Sequence, residues 1–344
     1  MNVIQAIPTQ DDVLARIGSR RFIVVAGKGG VGKSTVSAAL ALRLARAGKR
    51  VLIVELGAQP RVARLLGYQG DPATYDIVTI EPRVQVINVT PGPALHEYGL
   101  MKLKFERLYR LVFENPVMKS LTRMIPGMNE LVLIGKAWHL EQERLPDGRP
   151  RWDALIIDSP ATGHGVSLLA LPHVITETVK SGPMADEVGQ IKDMLIDPAR
   201  SCMNIVTLAE EMPVRESMEL ETRMHDTLRV APGALFVNGL FPPLPSAGVE
   251  RELEQAGMKA GAHSAALAAA RFLIDRRRSQ DAHLAWLASR SALPRIELPY
   301  LFVPDFDRSS VDQLVRAMAV DALADGGRPP LLPSVAPNLA RKTP

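Results

Sequence analysis

The stretch GKGGVGKST, residues 27–35, carries the strongest structural signal in the chain. It matches the pattern G-x-x-x-x-G-K-[ST], directly after the apolar run RFIVVAG (21–27) and directly before a helical segment, 34–48, that ends at a glycine. Glycines in such a loop let backbone N–H groups curl around a phosphate, and the helix N-terminus adds its positive dipole end. We therefore predict a phosphate-binding loop formed by Gly27, Lys28, Gly29, Gly30, Val31, Gly32, Lys33, Ser34 and Thr35.

Two side chains of this loop and one later carboxylate predict its chemistry. Lys33 is expected to contact the outer phosphates of a nucleotide, and the Ser34 hydroxyl is expected to ligate Mg²⁺. Asp158 ends the apolar run ALIID (154–158), where an acidic side chain can face the Mg²⁺ shell. The motif therefore predicts a bound nucleotide, with Mg²⁺ held by Ser34 and Asp158.

Short β-branched runs alternate with helical segments along the rest of the chain. This alternation predicts an α/β fold of the P-loop NTPase class, with a mainly parallel sheet covered by helices on both faces. Pro213 is expected in the first turn of a helix. Further strands are predicted at 50–56, 154–159, 204–210, 234–240 and 295–301. We expect one ATPase domain over 20–325 and, because 326–344 holds two glycines and five prolines, a flexible C-terminal tail there.

The region between the second and third predicted strands has a different pattern. Apolar positions 101, 105, 108, 109 and 112 form a helical stripe, and prolines at 116 and 126 divide the rest of the region into shorter helices. We predict a helical insertion over 95–145. Ten of the 13 methionines lie between 101 and 224. Flexible thioethers suit a groove for apolar helices, although ordinary core packing explains the same enrichment.

The loop form GKGGxGKS, with Lys28 as its first lysine, resembles the deviant Walker A motif of the MinD, nitrogenase-iron-protein and arsenite-pump ATPases. DSPATGH (158–164) resembles the switch II motif D-T-x-P-T-G-H of the branch that holds ArsA and the ATPase that targets tail-anchored membrane proteins. Pro160 and Ala161 stand in swapped order. Gly127 and Glu130 fit the P-G-x-x-E stretch of that family's helical insertion. The chain is most similar to single-copy bacterial ArsA-like ATPases, over about residues 20 to 320.

This resemblance implies a dimeric Mg-ATPase in which Lys28 reaches the partner's nucleotide and acts with Lys33 and Asp158 in catalysis. The partner subunit would be an identical chain or a paralogue. Asn238 stands where the family places its adenine-contacting asparagine, although an asparagine in a turn would look the same. Leu298 and Pro299 lie near the position of the family's later base-flanking loop. The family further implies a hydrophobic protein client or a membrane-protein partner.

The chain departs from the family in switch I. Gly57 occupies the position of the expected aspartate, so Glu55, at the end of the second predicted strand, is the nearby carboxylate able to orient a water. Glu55 could equally hold a helix or the outer shell of Mg²⁺. A regulatory ATP-binding scaffold with negligible hydrolysis is therefore one alternative function. A MinD- or ParA-like positioning ATPase is another, although the terminal ARKTP is too short for a basic membrane-binding helix.

Composition excludes several other classes of protein. The 344 residues include 41 Lys and Arg against 37 Asp and Glu, a net charge of +4, with 47% hydrophobic residues, which is typical of a globular chain. The lone cysteine, Cys202, excludes an internal disulfide and offers too few thiolates for trivalent arsenic. We find no signal peptide and no apolar run long enough for an integral membrane segment. We expect a cytoplasmic protein, with peripheral membrane attachment left open, and no nucleic-acid partner.

Overall fold

The computed structural model describes residues 9–57, 59–103, 127–244 and 264–318, together with residues 248 and 251. Eight strands form one sheet: β1 (Phe22–Ala26), β2 (Val51–Leu56), β3 (Val78–Glu81), β4 (Val84–Val89), β5 (Ala154–Asp158), β6 (Ser201–Leu208), β7 (Pro232–Leu240) and β8 (Arg295–Pro299). Their spatial order is β3-β4-β2-β5-β1-β6-β7-β8. Every pairing is parallel except that of β3 with β4, which is antiparallel.

Ten α-helices are described around this sheet: α1 (Gln10–Gly18), α2 (Lys33–Arg46), α3 (Val62–Leu65), α4 (Pro91–Leu103), α5 (Met128–Gln142), α6 (Thr162–Thr178), α7 (Pro183–Ile196), α8 (Glu211–Arg223), α9 (Ser264–Ala288) and α10 (Arg308–Ala317). A π-helical turn, Met224–Leu228, continues α8. Helices pack on both faces of the sheet, so the predicted α/β fold with a mainly parallel sheet is confirmed.

The central strands are largely apolar because both of their faces are buried, and β1 is apolar at every position. In β1, Phe22 and Val24 pack into a core shared with α5, α6 and α7, whereas Ile23 and Val25 pack into the opposite core with α1, α2 and α10. Alternate side chains of one strand thus enter two different cores, which explains the absence of a polar face in RFIVVAG.

All of the predicted strands are present, and two of them begin earlier than predicted: β6 starts at Ser201 and β7 at Pro232. The sequence reasoning missed α1 and the hairpin of β3 and β4. Polar residues interrupt both hairpin strands, which lie at one side of the sheet and are less buried than β1. Pro213 lies in the first turn of α8, as predicted.

The predicted helical insertion is described at its two ends, where α4 and α5 form. Residues 104–126, with most of the predicted apolar stripe and Pro126, lie outside the described residues, as does the predicted tail 326–344. Between α4, α5 and α7 lies a cavity of about 300 Å³, which we call the helical groove. In the described part of the chain, no helix is long and apolar enough to cross a membrane.

Candidate functional site

The carboxyl ends of β1, β2 and β5 bring the predicted site together. Asp158, the last residue of β5, is paired in register with Val25 of β1 on one side and with Glu55 of β2 on the other. The phosphate loop begins at Gly27, immediately after β1. In an open parallel sheet, ligands bind in the crevice outside such strand ends.

The loop is held against two further strands by its glycines. Gly27, Gly30 and Gly32 have φ values of 152°, 88° and 95°, which L side chains rarely adopt. A Cβ on Gly27 would lie 2.2 Å from the carbonyl oxygen of Val206, and a Cβ on Gly32 would lie 2.2 Å from Asn238 Nδ2. The loop backbone therefore approaches β6 and β7 more closely than any side chain allows.

Lys33 opens α2 and folds its side chain back over the loop. Its Nζ donates to the carbonyl oxygen of Lys28 at 3.0 Å. Burial lowers the pKa of Lys33, and the nearby Asp158 carboxylate opposes that shift. An ammonium group held in this position faces the space that the loop encloses, where it can meet a phosphate.

Asp158 is almost completely buried and accepts two hydroxyl hydrogen bonds from α2. Ser34 Oγ donates to Oδ2 at 2.7 Å, and Ser37 Oγ donates to Oδ1 at 3.0 Å. Burial raises the pKa of Asp158, while these hydrogen bonds and Lys33 oppose the rise. Sequence reasoning missed Ser37, although its position three residues after Ser34 places both hydroxyls on one helix face.

The donor set fits Mg²⁺. Ser34 and Asp158 offer hard oxygen ligands side by side, and Mg²⁺ is usually bound by one or two carboxylates plus substrate phosphates. Within the described ranges, no group of three or more His, Cys, Asp or Glu residues could form an all-protein metal cage. The partly buried Ser34 and the buried Asp158 would hold a Mg²⁺ ion that enters with a nucleotide.

Glu55 points toward the chain that continues beyond β2. Its Oε1 accepts the backbone N–H groups of Arg61 at 2.6 Å and Val62 at 2.8 Å, at the start of α3. Its Oε2 is buried without a hydrogen-bond partner among the described residues. Burial raises the pKa of Glu55 to about 7, and the backbone hydrogen bonds oppose the rise. Glu55 thus does hold a helix, one of its predicted roles, and keeps one oxygen unused.

Asn238 and Lys28 complete the predicted set. Asn238 lies within β7 rather than in a turn, and its Nδ2 donates to the carbonyl oxygen of Val31 at 3.0 Å. Lys28 pairs with Glu216 on α8 at 2.5 Å, and both side chains are about one-third exposed. Glu216 was not identified from the sequence, because nothing local to α8 indicates that it faces the loop.

Switch II borders the loop on its other side. Ser159 Oγ donates to the Val25 carbonyl at 2.8 Å, and a Cβ on Gly29 would lie 3.7 Å from that of Ala161. The helix α6 begins at Thr162. The structure does not describe the side chains of Thr162 and His164 or the surroundings of Gly163. The matches to switch II at these three positions therefore stay sequence predictions.

Comparison with known proteins identifies the family. Residues 20–183 match the family described as anion-transporting ATPase. The chain is 30% identical over 234 residues to ATPase BagA of Mycobacterium tuberculosis, covering 66% of this chain and 67% of BagA. The chain belongs to the ArsA-type ATPase family. The family and the ATPase class predicted from the phosphate loop are both confirmed.

More distant ArsA-type relatives match a similar length of this chain. The arsenical pump-driving ATPase of Escherichia coli is 25% identical over 244 residues, which is 66% of this chain and 40% of that protein. The arsenical pump-driving ATPase of Acidiphilium multivorum is 26% identical over 243 residues, or 64% and 40% of the two chains. This ArsA-type ATPase therefore spans less than half of each of these two pump-driving proteins.

Proposed function

We propose that this ArsA-type ATPase works as a dimeric, Mg-ATP-dependent switch. ATP binding and hydrolysis would close and open the two subunits and so change the helical region that meets a client or partner. The observation that carries the proposal is the placement of the two loop lysines. Lys33 is folded inward over the loop, whereas Lys28 points outward to a partly exposed carboxylate on α8.

Within one subunit, the inward-facing groups would bind the nucleotide. Lys33 and the loop N–H groups would hold the β- and γ-phosphates, and Ser34 and Asp158 would hold Mg²⁺, which supplies charge neutralisation when bound. Asn238 would position the loop through Val31 and offer its carboxamide oxygen to the adenine amino group. These assignments rest on the contacts at the carboxyl ends of β1, β5 and β7.

Glu55 would position switch I and orient the attacking water. Its Oε1 anchors the start of α3, which fixes the chain after Gly57. The unpartnered Oε2 is the atom that could accept a hydrogen bond from water. Both predicted roles of Glu55 are thus compatible, since each uses a different oxygen.

Lys28 would act on the nucleotide of the partner subunit, which would be a second copy or a paralogue. Its ammonium group must first leave Glu216, so the ion pair would hold the resting subunit in a state that does not dimerise. A pair that is about one-third exposed contributes about 1 kcal/mol at most, so ATP-driven closure can displace it.

The helical groove would receive the client. Apolar side chains line much of it, among them Met101, Met128, Leu131 and Trp138. The helix α6, which begins at switch II, packs against both α5 and α7 of the groove. A movement of switch II after loss of the γ-phosphate would therefore reach the groove directly. A hydrophobic helix of a protein client or membrane-protein partner fits this lining.

Sedimentation analysis with and without Mg-ATP tests the proposal. We expect ATP-dependent dimers, and Lys28→Ala should lower single-turnover hydrolysis by about 10³-fold or more while nucleotide binding is retained. Glu216→Gln should favour dimers by up to about fivefold, since it removes the competing ion pair. Glu219→Gln, on the exposed side of the same helix, is the matched control and should change nothing.

Two outcomes would contradict this switch. Full turnover of Lys28→Ala as a monomer would show that the lysine has no role across an interface. Nucleotide binding and dimerisation without single-turnover hydrolysis in the unaltered protein would instead favour the regulatory scaffold, an alternative that Gly57 in switch I suggests.

A further inference from the structure

A second cavity lies at the opposite end of the sheet from the phosphate loop. It has a volume of about 290 Å³ and lies where β6 and β7 begin, under the last turn of α1. Its lining includes Arg16 and Arg20 from the end of α1, His225 from the π-helical turn, and residues 292–294 before β8. We call it the amino-end cavity. It shares no lining residue with the predicted nucleotide site.

The permanently charged groups of the amino-end cavity have one sign. Among the described residues, two arginines, Arg16 and Arg20, line it together with the imidazole of His225, and no Asp or Glu does. Over the described ranges, no salt bridge joins either guanidinium to a carboxylate; Arg20 Nη1 donates to Ser19 Oγ at 2.7 Å. Asp12, one turn before Arg16 on α1, is bound to Thr9 in a capping box; hydrogen bonds from Thr9 lower the pKa of Asp12, and the charge of Arg16 adds to this shift without forming a salt bridge. Two arginines near a cavity without a bound acid favour an oxyanion there.

The inner wall of the same cavity is apolar. Val13, Ile17, Cys202 and Leu293 contribute to it, and each is at most 9% exposed. Burial raises the pKa of the Cys202 thiol to about 12, so the sulfur is neutral and acts as part of this wall. A ligand that fills the cavity therefore needs an apolar body as well as a charged head.

We propose that the amino-end cavity binds a small organic anion, with a carboxylate or phosphate head at Arg16 and Arg20 and an apolar body against Ile17 and Leu293. The volume is near the lower end of the range for small-molecule sites, about 300–1,000 Å³, which limits the ligand to roughly the size of a substituted aromatic ring. This site is separate from the switch proposed above, and its test does not depend on dimer formation.

An alternative role for the arginines is structural. Cations in the last turn of a helix stabilise the negative end of its dipole; Arg16 lies in the last turn of α1, and Arg20 follows the end of that helix by two residues. That role predicts a loss of stability when they are replaced, but no binding of any anion. Direct binding measurements separate the two roles.

The test uses three probes of similar shape: benzoate, phenyl phosphate and the neutral benzamide. Calorimetric titrations are made on the full chain saturated with Mg²⁺ and a non-hydrolysable ATP analogue, which keeps phosphate away from the loop. We expect both anions to bind saturably at millimolar concentration or below, and benzamide to bind at least about tenfold more weakly.

Two variants and one control locate the binding. The double variant Arg16→Gln and Arg20→Gln should lower the affinity for both anions by about tenfold or more, because charge-assisted hydrogen bonds are lost. Ala292→Trp should also abolish binding, because it fills the cavity without changing its charge. Arg149→Gln, in a distant turn with an exposed side chain, should leave binding unchanged.

Three results would overturn the proposal. Equal binding of benzamide and benzoate would mean that the cavity is an apolar crevice only. Unchanged anion binding by Ala292→Trp would mean a general attraction to surface cations. The absence of saturable binding by the unaltered chain, with a lower melting temperature for the arginine double variant, would assign the arginines to the helix end alone.

Discussion

The carboxyl ends of the central strands and the helical groove hold their polar groups in different ways. Around the phosphate loop, glycine backbone approaches β6 and β7 with no room for a Cβ, and Asp158 is buried between two serines. In the groove, Glu97 is partly exposed and binds Lys136 at 2.7 Å and Tyr75 at 2.6 Å among apolar side chains. The first region is built for one geometry, whereas the second has open volume that can adapt to different occupants.

The largest expected effect is a loss of stability when a glycine of the phosphate loop is replaced, and its size shows how rigid the loop is. Gly27→Ala should destabilise the protein by about 4 kcal/mol or more, because its Cβ would overlap the Val206 carbonyl in addition to the strained φ. Gly30→Ala is the matched control: its φ is also positive, but nothing lies within 4 Å of the added Cβ. It should cost only about 1–2 kcal/mol. Urea unfolding measures both, and equal losses would show that the loop can move away from β6.

The second prediction compares Glu55, a buried carboxylate beside the phosphate loop, with Glu97, the partly exposed carboxylate of the groove. Burial raises the pKa of Glu55 from 4.5 to about 7, so its stabilising contribution is full below pH 4.5 and is lost as the pH rises through 7. The loss amounts to about 3 kcal/mol by pH 8. Glu55→Gln should therefore be more stable than the unaltered protein at pH 8, but not at pH 4.5, in urea unfolding without nucleotide.

Glu97 should behave in the opposite way. Burial works against its charge, yet hydrogen bonds from Lys136 and Tyr75 lower the pKa of Glu97. Its contribution is therefore present above the pKa of the unfolded chain and is lost as the pH falls through the folded value. Glu97→Gln should destabilise the protein at pH 8. If both variants shifted stability in the same direction there, the contrast between the two regions would be wrong.

A smaller effect is expected in the helices of the groove. If switch II moves with the state of the nucleotide, amide protection in α5 should differ by about fivefold or more between ADP and a non-hydrolysable ATP analogue. The amides of β1, in the centre of the sheet, are the internal control and should not change. Hydrogen exchange measures both, and equal protection of α5 in the two states would reduce the groove to a static cap.

The last prediction is that arsenite has no effect on ATP turnover. Arsenite should not stimulate ATP turnover by thiolate ligation, because the chain has one cysteine, which is buried, and burial raises the pKa of Cys202 to about 12. Arsenite should leave the rate of ATP turnover unchanged in the unaltered chain, and it should also leave the rate of Cys202→Ser unchanged. A stimulation that Cys202→Ser abolishes would contradict this prediction.

Much of the fold could be predicted because its causes are local. A glycine-rich loop between a buried strand and a helix has few other interpretations, and runs such as FIVVA (22–26) are apolar throughout because helices cover both faces of the sheet. The hairpin of β3 and β4 was missed since its strands lie at the side of the sheet, where polar residues are tolerated. Core packing accounts for Met194 and Met203, which are buried, whereas Met101 and Met128 line the groove, and their use in binding an apolar helix stays a prediction.

The sequence by itself predicted the family, which the comparisons confirm, as well as the phosphate loop and the carboxylate at the end of β5, because these depend on residue types at fixed spacing. Contacts between residues that are distant along the chain were decided by the three-dimensional packing alone. Lys28 meets Glu216 188 positions later, Asn238 meets Val31 across 207 positions, and the amino-end cavity joins α1 to β6, β7 and the approach to β8. Each of these contacts exists because the strand order places segments side by side that no local pattern connects.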